Sequence, residues 1–332
     1  MMSTPRISVV MATYKRPRLL ARCLDALLAQ ALPGDAYEIV VVDDGRTEDT
    51  RELVADYAIR AAARGGPELH YLRSHGTRGP AGARNRGWRA ARGALIAFTD
   101  DDTIPDPRWL AEGEAAMAAP GRVAAWGRVH VPLPEQLTDN ARNTAGLENA
   151  VFVTANAFVR TDALAAVGGF DERYERAWRE DTDLYFALLA AFPHEGAVVP
   201  APRALVVHPV REAPFLVSIG QQANMAFDAL LWKKYPALYD RHVGMRRAPP
   251  NYVGIVAATL AAIAAAPVAP AIAGVAGAVA VGLIVHFATR RLRGLAKSPR
   301  QVADMLLSSI AIPYVSLYWR LIGAWRWRAR FY

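Results

Sequence analysis

Three short apolar runs, each ending abruptly in polar or acidic residues, constrain the fold of this 332-residue chain more than any other feature. Ile7-Ser8-Val9-Val10-Met11-Ala12-Thr13 reads as a buried strand, and after a polar turn Leu19 to Ala31 carries apolar residues at helical spacing. Tyr37 to Val42 repeats the pattern, stops at Asp43-Asp44-Gly45, and is followed by a helical stretch from Glu48 to Ala63. Leu69 to Arg73 is a weaker strand candidate and Gly79 to Arg92 a loop entering a helix. Ala94 to Thr99 is another buried strand, running into Asp100-Asp101-Asp102. This alternation argues for an α/β chain with a parallel sheet covered by helices on both faces. Ligands of open α/β sheets bind beyond the carboxyl ends of the strands. Thr13-Tyr14, Asp43-Asp44 and Asp100 to Asp102 therefore arrive at one edge.

Further along, Val123 to Val131 reads as an edge-like strand, Pro132 to Asn149 as a loop, Phe152 to Val159 as a strand and Thr161 as a helix start. Gly168-Gly169-Phe170-Asp171 makes a turn, Trp178 to Leu189 a helix entered through Glu180-Asp181-Thr182-Asp183, and Val198 to Val207 a last strand ending at His208. The length and a hydrophobic content of 53% suit one large domain plus an appendage and exclude a disordered or fibrous chain. The single cysteine, Cys23, forms no internal disulfide and no Cys-rich metal site, and reads as a small core residue suited to a reducing compartment. Met1-Met2-Ser3-Thr4-Pro5-Arg6 lacks the charged start and apolar stretch of a signal peptide, so the α/β part is expected in the cytoplasm.

Three adjacent aspartates repel one another, and a divalent cation held by carboxylate oxygens relieves that repulsion. Mg2+ or Mn2+ suits the oxygen-rich neighbourhood better than Zn2+. The alternative is a solvated loop capping the helix after Pro105.

Taken in order, Val10-Met11-Ala12-Thr13-Tyr14, Val41-Val42-Asp43-Asp44-Gly45, Gly82-Ala83-Arg84-Asn85-Arg86-Gly87 and Phe98-Thr99-Asp100-Asp101-Asp102 resemble family 2 glycosyltransferases with the GT-A fold. Gly168-Gly169-Phe170-Asp171-Glu172 followed by Glu180-Asp181-Thr182-Asp183-Leu184 is similar to that family's acceptor-side motif, and the resemblance spans roughly the first 210 residues. It implies a mixed, Rossmann-like sheet flanked by helices and a nucleotide-sugar donor, with a UDP-linked donor expected. Ala12, Thr13, Tyr14, Arg16, Asp43, Asp44, Gly79, Arg84, Asp100 and Asp101 would line the nucleotide, Asp44 accepting from a base N–H and Arg84 lying near the ribose or diphosphate. Asp100 and Asp102, with His208 as a third ligand, would hold the metal; the sequence leaves open which two of the three aspartates reach it. Gly168, Gly169, Phe170 and Asp171 would face the acceptor, and Asp181, beside Glu180, would be the base of a single inverting displacement. Lys15 stands where Asn commonly follows the Tyr, and Arg46 where Ser commonly follows Asp-Asp-Gly. Gln221-Gln222-Ala223-Asn224-Met225 does not supply the Gln-x-x-Arg-Trp signature of processive synthases, so one residue is expected to move per encounter.

The basic charge lies in the tail, where residues 241–332 hold twelve Lys and Arg against one acid, Asp304. This charge flanks apolar stretches, which points to an anionic membrane surface and not to nucleic acid. Ala248 to Thr289 contains no Lys, Arg, Asp or Glu and is interrupted by Pro267-Val268-Ala269-Pro270, so a helical hairpin over 251–289 is expected. Arg246 and Arg247 before it and Arg290, Arg291 and Arg293 after it place both ends in the cytoplasm. Residues 301–325, leading into Trp325-Arg326-Trp327-Arg328-Ala329-Arg330-Phe331-Tyr332, read as an interfacial helix. The expected organisation is a catalytic domain over 1–240 and a membrane-associated helical region over 241–332, with a glycan or lipid-linked acceptor. Two other classes compete. A nucleotidyltransferase requires a Gly-rich basic loop after the first strand, and Thr13-Tyr14-Lys15-Arg16-Pro17 has no Gly. A membrane-tethered, non-catalytic sugar-nucleotide-binding protein has no need of the full set of acids found here.

Overall fold

The computed structural model describes residues 4–74 and 79–331; Met1-Met2-Ser3 and Tyr332, which entered the readings of the two chain ends, lie outside the described residues. Contacts divide the chain into two compact units, residues 1–132 with 145–209, and residues 133–144 with 210–332. In chain order the elements up to residue 207 are β1 Ile7–Thr13, α1 Pro17–Leu28, β2 Tyr37–Asp43, α2 Glu48–Ala62, β3 Glu68–Arg73, α3 Pro80–Ala90, β4 Leu95–Thr99, β5 Ile104–Pro105, α4 Trp109–Ala116, β6 Ala124–His130, α5 Asp139–Ala145, β7 Asn156–Arg160, α6 Thr161–Val167, α7 Glu180–Ala191 and β8 Val198–Val207.

The first unit is built on one eight-stranded mixed sheet in the order β3-β2-β1-β4-β7-β6-β8-β5. β3, β2, β1 and β4 are mutually parallel. β1, β2 and β4 are almost wholly buried, which is why they read as continuous apolar runs. β7 pairs antiparallel with both β4 and β6, and β6 pairs parallel with β8. Two expectations need correction. β6 is an interior strand between β7 and β8, although its exposed Arg128 and His130 alternate with buried residues as an edge would. β7 begins at Asn156, four residues later than its apolar character suggested, because Phe152 adopts a left-handed φ of 56° and a turn follows it, closed by the Asn156 N–H bond to the Val153 carbonyl at 3.0 Å. The two-residue β5 has no sequence signal of its own and exists only by pairing with β8.

The β6–β8 register shifts between Gly127 and Arg128, which leaves carbonyls without ladder partners. Buried Asn156 satisfies them: its amide donates to the carbonyls of Arg128 and Ala204, each at 2.9 Å, while its Oδ1 accepts from the indole of Trp109 at 2.8 Å. Leaving a buried polar group without a partner costs about 1–3 kcal/mol.

The second unit adds α8 Val217–Gln221, α9 Met225–Lys234, α10 Pro236–His242, α11 Pro250–Ala265, α12 Pro270–Leu292 and α13 Pro299–Arg326, and includes most of α5. The division expected at residue 240 thus compares with a first unit closing at Pro209. α9 belongs to the second unit because its buried Phe227, Leu230 and Leu231 lie on a helix packed against α13. The expected hairpin is present as α11 and α12, which pack together and break at Ala266–Ala269. α11, at 16 residues, is shorter than the roughly 20 needed to cross a bilayer core, whereas α12 and α13 are long and apolar enough to do so. Arg291, at the end of α12, binds Asp139 at 2.8 Å and donates to Ser308 at 2.7 Å and Ser309 at 3.1 Å, joining α5, α12 and α13.

Replacing Asn156 with Ala leaves the Trp109 indole and two sheet carbonyls unsatisfied, and is expected to lower stability by about 3 kcal/mol. Urea denaturation checks this; a loss below about 1 kcal/mol would show that the shifted register is held by something else.

Candidate active site

The site forms where the parallel strands end. Asp44, just past β2, donates its backbone N–H to the Thr13 carbonyl at 2.9 Å and accepts from the Gly79 N–H at 3.0 Å. Gly79 has φ 102°, and a Cβ there would lie 2.5 Å from the Glu175 carbonyl oxygen, so only glycine fits at the entrance to α3. The buried carboxylate of Asp43 accepts from the N–H groups of Gly45 and Thr47, both at 2.8 Å, and from the Tyr71 hydroxyl at 3.0 Å. Its visible work is to hold the β2–α2 turn that presents Asp44. Tyr14 is half exposed with the Lys15 ammonium 5.5 Å from its ring centre. Lys15 and Arg46, the two departures from the family pattern, both hold left-handed backbone, at φ 52° and 54°.

The three consecutive aspartates do not point the same way. Asp100 opens a turn in which the Thr103 N–H and hydroxyl donate to its carbonyl, at 3.2 and 2.8 Å. Asp101 is fully buried: its Oδ2 accepts from the Thr13 hydroxyl at 2.7 Å and its Oδ1 pairs with Arg16 at 2.8 Å. Burial pushes the Asp101 carboxyl up to about 6, with Arg16 and Thr13 opposing. Asp100 and Asp102 instead converge with His208, one ligand atom from each lying within 4.8 Å of the others.

Strand pairing explains the convergence. Ile104 is registered with Val207, so His208, next after β8, falls beside the Asp100–Thr103 turn. His208 is held there by its backbone N–H bond to the His130 carbonyl at 2.8 Å. Its Nδ1 is buried with no hydrogen-bond partner among the described residues and its Nε2 lies 3.7 Å from Asp102. Two carboxylates and an imidazole with an unpartnered nitrogen fit a divalent cation that accepts oxygen and nitrogen ligands.

Arg84, on α3 and 3% exposed, connects this cluster to the other side of the site. One guanidinium nitrogen pairs with Asp100 at 2.7 Å and the other with buried Glu180 at 3.0 Å. For Asp100, burial acts upward but Arg84, helped by His208 and Arg16, holds the carboxyl below its ordinary value. Glu180 and Asp181 are both raised, chiefly by burial; Arg84 opposes in each case, and the Thr182 N–H opposes at Asp181. Asp181 is half-buried at the second position of α7, its Oδ1 accepting from that N–H at 2.6 Å.

Gly168 to Asp171 form a braced turn. Asn85 accepts from the Phe170 N–H at 2.9 Å and donates to the Phe170 carbonyl and to Glu172, each at 2.8 Å. Gly169, at φ 77°, lies so close that a Cβ would sit 2.4 Å from the Asn85 amide oxygen. Phe170 is buried edge-on against Phe98, with ring centres 5.2 Å apart, and Asp171 pairs with Arg173. Asn85 carried no role in the sequence reading; its signal was a polar residue on the apolar side of a short helix, three positions before Trp88.

Residues 8–170 match Glycosyl transferase family 2, and the chain carries a domain of that family; it is a glycosyltransferase. Among relatives, glycosyltransferase AglE of Haloferax volcanii is 29% identical over 270 residues, covering 75% of this chain and 84% of that protein. Validoxylamine A glucosyltransferase of Streptomyces hygroscopicus subsp. limoneus is 37% identical over 116 residues, which span 35% of this chain and 24% of the relative. The mannosyltransferase PcManGT of Pyrobaculum calidifontis, solved with GDP-Man and Mn2+, superposes with a TM-score of 0.57 at 21% identity, covering 95% of this chain and 88% of that one. S. aureus TarS 1-349, solved with UDP-GlcNAc, gives a TM-score of 0.52 at 16% identity over 93% and 92% of the two chains. These structures share the GT-A fold with this chain.

Gly169→Ala forces a Cβ into Asn85 and Trp88 at a left-handed backbone position, and is expected to destabilise the protein by about 2–3 kcal/mol. A shift of thermal midpoint smaller than that of a surface substitution would show that the turn relaxes freely.

Proposed function

We propose that this protein is an inverting, metal-dependent glycosyltransferase. It moves one sugar from a nucleotide-diphosphate sugar, UDP-linked in this reading, to an acceptor hydroxyl on a lipid-linked or cell-envelope glycan at the cytoplasmic face of the membrane. The observation that carries it is the joining, within one unit, of the Asp100–Asp102–His208 cluster to the Glu180–Asp181 pair through Arg84. Mn2+ or Mg2+ would be held by Asp100, Asp102 and His208, and when bound supplies positive charge that stabilises the departing nucleoside diphosphate. The Mn2+ and GDP-Man found with PcManGT and the UDP-GlcNAc found with TarS support a metal and a nucleotide-sugar donor.

In this reading Ala12, Thr13, Tyr14, Arg16 and Asp44 lie at the nucleotide end, and Asp44 accepts from a base N–H. Asp181 takes the proton of the acceptor hydroxyl as it attacks the anomeric carbon. Membrane lipids are the partner of the second unit, whose α11 and α12 expose Leu260, Ile263, Ile272 and Val275 to more than half their area between basic flanks. Two relatives that match shorter stretches, over 36% and 29% of this chain, are named as a succinoglycan biosynthesis protein, ExoO, and a poly(ribitol-phosphate) beta-glucosyltransferase, which supports a glycan or polymer acceptor.

A panel of UDP- and GDP-sugars with Mn2+, read out by released nucleoside diphosphate, tests the donor. Asp181→Asn is expected to reduce transfer by at least about 100-fold with nucleotide binding intact; full activity in that variant would remove the base assignment. Asp100→Asn, Asp102→Asn and His208→Ala are each expected to weaken Mn2+ binding about tenfold or more, and Asp101→Asn much less. Equal losses in all four would contradict the division of the acidic run. A base works in its ionised form, and the Glu180–Asp181 pair is raised. Transfer should therefore fall as pH drops through an apparent pKa above the ordinary Asp value of about 3.9, and a pH–rate profile flat down to about pH 4 would exclude the pair.

A further inference from the structure

We propose that Arg84 is a positioning residue that sets the distance between the two halves of the reaction, and that it does not serve as a ligand of the donor. The inference rests on the proposed base role of Asp181. Arg84 is 3% exposed, and both terminal nitrogens of its guanidinium are engaged by protein carboxylates, Asp100 at 2.7 Å and Glu180 at 3.0 Å. Its planar centre lies 5.8 Å from the ring of Phe170, which Asn85, the next residue on α3, clamps through both backbone groups. The guanidinium is therefore held from three directions.

What it joins is informative. Asp100 belongs to the cluster suited to a cation, whereas Glu180 is the first residue of α7 and precedes Asp181 in the chain. α7 is entered through Arg179 at a left-handed φ of 72°. A rigid two-pronged cation ties the first residue of that helix to a strand-end acid. Arginine's fork reaches both carboxylates at once; a lysine ammonium on a flexible stem is a single point and cannot span them in the same way. Catalysis that depends on a base held near one atom is sensitive to such a tie, since a displacement of about 1 Å can cost about 100-fold in rate.

The test compares wild type, Arg84→Lys, Glu180→Gln and Asp181→Asn by calorimetric titration with UDP and with GDP, each in Mn2+, and by steady-state transfer with the donor found in the screen. The expected result is nucleotide affinity within about threefold of wild type in Arg84→Lys and Glu180→Gln, unchanged donor KM, and kcat lowered by about 100-fold. A double variant carrying Arg84→Lys and Glu180→Gln should be no slower than the slower of those two single variants, because the two side chains act as a unit. A loss of nucleotide affinity of about tenfold or more in Arg84→Lys, with or without a change in kcat, overturns the proposal and makes Arg84 a donor ligand; so does an unchanged kcat. If Arg84→Lys does not fold, Glu180→Gln, which keeps the shape and an acceptor for Arg84, decides alone: lowered kcat with unchanged nucleotide affinity supports the proposal, and unchanged kcat overturns it. Full transfer by Asp181→Asn would remove the base reading itself, an outcome separate from any result in the Arg84 series.

Discussion

Asp100, Asp101 and Asp102 are consecutive, and Glu180 and Asp181 lie across Arg84 from them, so several carboxylates, Asp101, Asp102 and Glu180 among them buried, gather at one end of the sheet. Two like charges 4 Å apart repel by about 4 kcal/mol at an effective dielectric constant of 20. The edge survives because the acids are given partners, some of them shared: Arg16 pairs with Asp101 and lies 3.6 Å from Asp102. Asp101 turns inward to Thr13 and Arg16, Asp43 receives two backbone N–H groups and a tyrosine hydroxyl, and Asp100 and Glu180 share one guanidinium. Asp102 faces His208. The geometry that remains, two carboxylates and an imidazole converging, is what such a distribution leaves for a cation.

That distribution needs both directions of the sheet. The parallel strands β1, β2 and β4 bring Thr13, Asp43 and Asp100 to one edge, since parallel neighbours end at the same side. The antiparallel contact of β5 with β8 then carries His208 to the turn after β4, from more than a hundred residues further along the chain. The mixed sheet, with its shifted β6–β8 register held by Asn156, is thus the frame that lets distant residues meet.

The second unit follows different physics. α11 and α12 carry exposed valines, leucines and isoleucines that a water-facing helix would not need, and the basic residues stand at their ends. Residues 133–144, taken from between β6 and β7, pack with this unit, where Asp139 binds Arg291 and Arg142 donates to the carbonyls of Arg291 and Arg293. The Pro-rich and Asn-rich stretch that read as a plain loop therefore contains a short helix, α5, stabilised by partners about 150 residues away. No local pattern announces it.

Strand and helix order in the first hundred residues was legible because β-branched runs and helical spacing are properties of neighbouring residues. The arrival of Thr13, Asp44 and Asp100 at a common edge followed from the same local signals together with the geometry of parallel sheets. β5, the interior place of β6, the start of β7 and the brace supplied by Asn85 were not legible, since each depends on what lies across from it. The sequence by itself determined which residue types reach the site: an acidic run at one strand end, an acidic helix start, a cation on α3. Only the tertiary structure decided that Asp101 turns inward while Asp100 and Asp102 meet His208, and that Arg84 lies between Asp100 and Glu180. Those choices rest on pairings between segments distant in the chain, whose energies come from burial and charge that no single segment contains.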